Sequence, residues 1–238
     1  MSVVVWDIET QARIDQMPGL DRRQQIGHLQ VSCLSFLELK SDRLLKGPDE
    51  ALREVEEAKM VTLWRDDNSR GAGPFEPLFA AFDRAEVIAS FNGLGFDHIV
   101  LEKHVSRRRN ETHLLKVLDA FSRIREHTTL WLKLDSLLKA NGLAAKTADG
   151  LAAIRMWHDG ERDDLQEYCE ADVRALARLL VQRELLLPGG TTTLPNYIFG
   201  LASAIAAKRT SDSLRQKRPR EGAAEEPTGT DVSTAAAR

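Results

Sequence analysis

The chain of 238 residues is 42% hydrophobic and 29% charged, ordinary for a globular protein and enough for one sizeable α/β domain or two small ones. Its 33 basic and 36 acidic side chains leave a net charge of −3, so nothing draws nucleic acid to the molecule as a whole. A nucleic-acid enzyme with this balance needs a local basic patch.

Two cysteines, Cys33 and Cys169, have no metal-ligand spacing, which argues against a disulfide framework and a thiolate zinc site. No apolar run approaches membrane-spanning length, and the N-terminus enters a strand without a signal-peptide core. The expectation is a soluble intracellular protein with no membrane partner.

Ser2 to Val5 is a β-branched run that reads as a buried strand, and it continues into Trp6-Asp7-Ile8-Glu9-Thr10. Asp7 and Glu9 are two apart, so on a strand they share a face, roughly 7 Å apart. Two carboxylates at the end of a core strand are either ordinary solvated acids or half of a site for a hard divalent cation. Gln11 to His28 is polar, with a Pro18-Gly19 turn, and reads as an irregular or partly helical insertion beside the acids.

A second strand is predicted over 29–39, a helix over 49–58 and a third strand over 60–64. The Gly71–Pro74 loop precedes a helix from Phe75 to Asp83, whose Phe75, Leu78, Phe79 and Phe82 share one face. Next come a buried strand over 86–91 and a helix from Asp97 to Val105. A fifth strand is expected over 114–118 and a helix over 134–140 closed by Asn141-Gly142. A long helix follows from Arg162 to Glu184, ended by Pro188-Gly189-Gly190, and then one helix over 196–207. The alternation of strand and helix argues for an α/β fold with a central sheet covered by helices.

From about Thr210 the chain is basic and then Ala-, Glu- and Gly-rich, with little to bury, so 1–208 is expected as the folded domain and 209–238 as a disordered low-complexity tail. The basic run Arg215 to Arg220 is a solvated tail, a nucleic-acid tether or a nuclear localisation signal, which leaves the compartment cytoplasmic or nuclear.

Two further stretches bear chemistry. Asn92-Gly93-Leu94-Gly95-Phe96-Asp97 leaves a strand and enters a helix, where glycines permit a tight turn near a ligand and Asp97 can cap, bind metal, or do both. Tyr168 and Asp172 lie one helical turn apart on one face. Asp172 sits amid Leu165, Val173, Leu176 and Leu179, a position where an unpartnered charge is costly.

Asp7-Ile8-Glu9-Thr10, then Asn92 to Asp97, then Tyr168 with Asp172 resemble, in order and context, the three motifs of the DEDD superfamily of ribonuclease H-like 3′→5′ exonucleases. The resemblance spans roughly Val3 to Leu180. A tyrosine four residues before the last aspartate resembles the tyrosine branch, and Trp157 to Gly160 with Asp164 to Cys169 is similar to exonucleases of that branch. The long polar insertion after Thr10 and the low-complexity tail depart from the family pattern.

The resemblance implies a ribonuclease H-like mixed central β-sheet flanked by α-helices. It implies that Asp7, Glu9, Asp97 and Asp172 hold two divalent ions, Mg²⁺ or Mn²⁺, while Tyr168 positions the attacking water. Thr10, Asn92 and Phe96 are implied as substrate-binding. The expected substrate is single-stranded DNA or RNA, trimmed from its 3′ end, and any polymerase or helicase partner would act in trans. The other reading is a catalytically silent nucleic-acid-binding or interaction module of the same fold.

Other residues attract weaker readings. Arg107-Arg108-Arg109 either binds backbone phosphates or is a solvated helix end suited to the dipole. Lys146 is a loop cation that could reach a phosphate. Trp131 and Trp157 are either base-stacking residues or core. His104, His113, His127 and His158 lack a shared spacing and read as surface or structural. Asp119 is an acid after the fifth strand that matches no required position.

Overall fold

The computed structural model describes residues 1–14, 19–67, 73–143, 150–190 and 192–217, the last four by backbone alone. The chain opens with β1 (Ser2–Thr10), passes through α1 (Arg22–His28) and returns as β2 (Val31–Lys40). Two helices, α2 (Ser41–Leu44) and α3 (Pro48–Glu57), lead to β3 (Met60–Trp64). Then α4 (Glu76–Arg84) feeds β4 (Ala85–Ser90), and α5 (Asp97–Leu101) and α6 (Arg107–Leu114) feed β5 (Val117–Asp119). After these come α7 (Ala120–Thr128), α8 (Leu134–Ala140), α9 (Gly150–Asp159) and α10 (Arg162–Leu180). A small hairpin of β6 (Glu184–Leu186) and β7 (Thr193–Pro195) precedes α11 (Asn196–Phe199) and α12 (Leu201–Lys217).

The sheet has the order β3-β2-β1-β4-β5. The β1–β2 and β2–β3 pairs are antiparallel, while β4 runs parallel to both β1 and β5. The α/β class and the mixed sheet flanked by helices, both expected from the sequence, are what the structure shows. β1 lies in the middle and is buried on both faces. Its even residues Val4, Trp6 and Ile8 enter a core with Phe36, Phe79, Phe82 and Val100. Val3 and Val5 enter a second core with Leu39, Val173, Leu176 and Leu180. Each such fully buried side chain contributes about 1.5–3 kcal/mol, which fixes the register because a one-residue slip would exchange the two faces.

Several elements differ from expectation. The helix expected from Arg162 to Glu184 ends at Leu180, and Leu187 to Gly190 turns a hairpin instead, with the Gly190 amide donating to the Leu187 carbonyl. β6 is too short to show alternation within the apolar run Leu185 to Leu187. The single helix expected over 196–207 is broken at Gly200 into α11 and α12, and α12 runs through Lys217, past the 209 boundary. Arg209 holds it by bonding Glu86 and Asp42. Residues 218–238, with most of the expected tail and part of the basic run, lie outside the described residues, as do Pro18 and the Lys146 loop.

Arg107 to Arg109 is not a helix C-terminus but the first turn of α6, whose N-cap is Ser106. Arg109 is spent on Glu76 and Asp83, and Arg107 on Glu111, so these charges are largely answered within the protein. His113 is buried and bonds Asp83, a structural role as expected. Trp131 is 72% exposed rather than core, with the Arg125 guanidinium 3.9 Å from its ring centre. No described helix is long and apolar enough to cross a membrane.

Candidate metal centre

Asp7 and Glu9 prolong the face of β1 that begins with Val3 and Val5, the face covered by α10. Along α10 the buried stripe runs Leu165, Tyr168, Cys169, Asp172, Val173, Leu176, so Asp172 is the acid where that stripe crosses the end of β1. One carboxylate oxygen from each of Asp7, Glu9 and Asp172 lies within 4.8 Å of the others. Glu9 and Asp172 are 9% and 3% exposed, and Asp7 is half-buried. Like charges this close repel by on the order of 3 kcal/mol per pair at an effective dielectric of ~20, and a cation among them reverses the sign. Three oxygen donors with no nitrogen or sulfur suit a hard ion such as Mg²⁺ or Mn²⁺.

A β-bulge accompanies the cluster. β1 and β2 pair regularly through Ile8 and Leu34, and then Thr10 pairs with Val31. Ser32 and Cys33 therefore stand opposite the single residue Glu9, a distortion that increases local twist and re-aims side chains. Cys33 meets Cys169, Leu165, Tyr168 and Ala153 in a small buried cluster beside the acids. Its hydrogen bond to Cys169, then burial, then the neighbouring Glu9 and Asp7 charges raise the Cys169 thiol well above the ordinary range. Cys169 is thus a protonated packing residue. Tyr168, one turn before Asp172, is also buried, with Trp157 packed against the same cluster.

The structure does not bring all the expected acids into one knot. Asp97 is buried at the start of α5 but is not a member of the 4.8 Å group. Nor does it cap the helix as one reading had it: Phe96 occupies the N-cap and Asp97 is the first helical residue. Thr10 is buried and its hydroxyl donates to the Ala12 carbonyl. Asn92 and Phe96 are half-buried on the loop between β4 and α5.

The strain in that loop is not where its glycines suggest. Asn92 carries the left-handed conformation, with φ 62°, while neither Gly93 nor Gly95 has a positive φ. The glycines are needed for space. A Cβ on Gly93 would fall 2.2 Å from Ser90 Oγ, and one on Gly95 would fall 2.6 Å from Asn92 Oδ1.

Asp119 is the residue whose importance the sequence understated. It is 3% exposed and accepts from the backbone amides of Asn92, Leu94 and Ser122. One carboxylate thus caps α7 and ties down the loop leading to Asp97. An Asp three residues before Ser122, at a strand end, was the readable signal. Asp119→Ala is expected to cost about 2–4 kcal/mol, a lost cap plus two orphaned amides. A urea titration would show it as a lower midpoint at unchanged slope, and a midpoint unmoved would contradict it.

A family model described as the RNase_H superfamily matches residues 51–183, more than half the chain. The match includes Asp97, Tyr168 and Asp172 and stops short of Asp7 and Glu9. No curated protein matches. A solved family B DNA polymerase from the hyperthermophilic archaeon Pyrobaculum calidifontis is similar at 15% identity and a TM-score of 0.47. That likeness covers 75% of this chain but 24% of the polymerase.

Proposed function

The chain belongs to the RNase H superfamily, and from that premise we propose that it is a metal-dependent 3′→5′ exonuclease acting on single-stranded nucleic acid. The observation that carries this reading is the buried convergence of Asp7, Glu9 and Asp172 within 4.8 Å on the face between β1 and α10. Carboxylates this close repel one another, and a cation among them turns that repulsion into attraction.

Asp7, Glu9 and Asp172 would hold Mg²⁺ or Mn²⁺, with Asp97 assigned as the fourth ligand on the DEDD pattern and lying outside the tight group. When bound, two such ions supply an activated water and charge stabilisation for an in-line displacement at phosphorus. The protein's own part is orientation. Tyr168, held by its neighbours on the buried face of α10, positions the water from one turn away. Thr10 and the loop of Asn92 and Phe96 flank the strand terminus, and Asp119 keeps that loop in place.

The directional test is a single strand labelled at its 5′ end and incubated with Mn²⁺. A ladder that shortens stepwise from the 3′ end is expected. The same strand labelled at its 3′ end should release labelled mononucleotide from the first time point. Internal fragments appearing first would replace the exonuclease by an endonuclease.

A further inference from the structure

Beside the acid cluster lies a pocket of about 440 Å³ bounded by Gln11, Arg65, Asp66, Pro74, His104 and Trp157. That volume is in the range of sites that enclose a nucleotide-sized ligand. Gln11 follows Thr10 directly, which puts the pocket roughly 7 Å along the backbone from Glu9. Trp157 packs against the cluster containing Tyr168, so the pocket joins the metal centre through both β1 and α9.

Its one acid is already paired with a cation outside the lining. Asp66 is claimed by a two-pronged bond from Arg162 at 3.0 and 2.5 Å, which holds its carboxyl below the ordinary range. His104 is kept toward its neutral form by desolvation and by the Lys103 and Arg65 charges. Arg65 is exposed, and among the described residues its side chain makes one hydrogen bond, to Gln11 Oε1 at 3.3 Å.

Gln11 is itself fixed on every polar group. Its amide donates to the Gln30 carbonyl, its side-chain nitrogen to the Val31 carbonyl, and its own carbonyl accepts from His158. The guanidinium therefore has a preset direction and spare donors. Trp157 has a preset plane, stacked on Trp64 with centroids 6.4 Å apart and with Arg162 against both rings.

A guanidinium with free donors beside an oriented indole matches the two parts of a nucleotide, an oxyanion and a flat base. We infer that this pocket seats a nucleotide unit of the substrate strand upstream of the scissile bond, with a phosphodiester on Arg65 and a base against Trp157. The inference rests on the exonuclease reading for the identity of the strand. It predicts that the protein grips more than the terminal residue and recognises backbone and base plane without reading sequence.

The test separates binding from cleavage. The full chain carrying Asp172→Asn is titrated with an oligothymidylate in Mg²⁺, following tryptophan fluorescence at several salt concentrations. Adding Arg65→Ala should weaken binding about tenfold. It should also flatten the salt dependence by about 0.7, the slope of one phosphate contact on a single strand. Arg65→Lys should recover the slope. Trp157→Phe, which keeps an aromatic ring against Trp64, should remove most of the quenching. Equal affinity and slope in Arg65→Ala, or unchanged quenching in Trp157→Phe, would overturn the subsite. Arg65-dependent binding by a wild-type chain that leaves the strand intact supports the subsite and removes the hydrolytic reading instead.

Discussion

Asp172→Asn is expected to slow strand shortening by about 10³-fold or more while leaving the protein folded. The side chain keeps its size and its place on α10, so Leu165, Val173 and Leu176 keep their packing. What changes is charge: one of three carboxylates that meet within 4.8 Å becomes neutral. That removes a proposed metal ligand and also relieves repulsion in the metal-free protein. Two readouts should therefore move apart. Activity in the 5′-label assay should fall to background, and the melting temperature in EDTA should stay level or rise. A merely structural acid would show the opposite, with activity largely retained or lost in step with stability. Residual activity within tenfold of wild type would place the catalytic centre elsewhere.

Mn²⁺ at about a hundred times its dissociation constant should stabilise the wild-type protein by roughly 2.7 kcal/mol. For a chain of this length that is a rise in melting temperature of about 5–10 °C. Asp7→Ala should abolish the rise, because it removes one acid of the cluster and leaves the other two too far from a complete coordination shell. A shift that survives Asp7→Ala would sink the metal assignment. The same titration on Asp97→Asn is informative because Asp97 stands apart from the three clustered acids. A diminished shift would bring it into the metal shell, and an undiminished one would leave it with a role at the loop.

Much of the site was legible because its residues break a local rule. Asp172 among Leu165, Val173 and Leu176 conflicts with the apolar stripe of its helix, and Asp7 and Glu9 conflict with the β-branched strand before them. Such conflicts survive in a fold only where something offsets them. β1 and β3 were readable from strong β-branched runs. The helix α7 was missed because Phe121 and Ile124 are thin evidence among Ser122, Arg123, Arg125 and Glu126. It is held by tertiary packing and by the Asp119 cap rather than by its own periodicity. The hairpin of β6 and β7 was hidden because Leu185 to Leu187 continue an apolar run that reads equally well as helix. The pairing of Cys33 with Cys169, and the pocket at Arg65, depend on register between distant segments, which one chain's spacing does not encode.

The bulge opposite Glu9 sets a rule about chain length. On β2, Leu34 and Phe36 share a core with Val31, although their numbering parity differs. The extra residue between them is what allows Val31 to face that core while Cys33 faces α10. The stretch 19–24, which buries no side chain, has no such constraint, and loop closure there costs only about 0.6 kcal/mol for each doubling of length. Descendants of this sequence are therefore free to lengthen or trim the chain on one side of Val31. On the other side, losing one residue from Ser32-Cys33 would turn Val31 out of its core or draw Glu9 off the centre. Alignment gaps among relatives should gather before Val31 and be absent between it and Leu34.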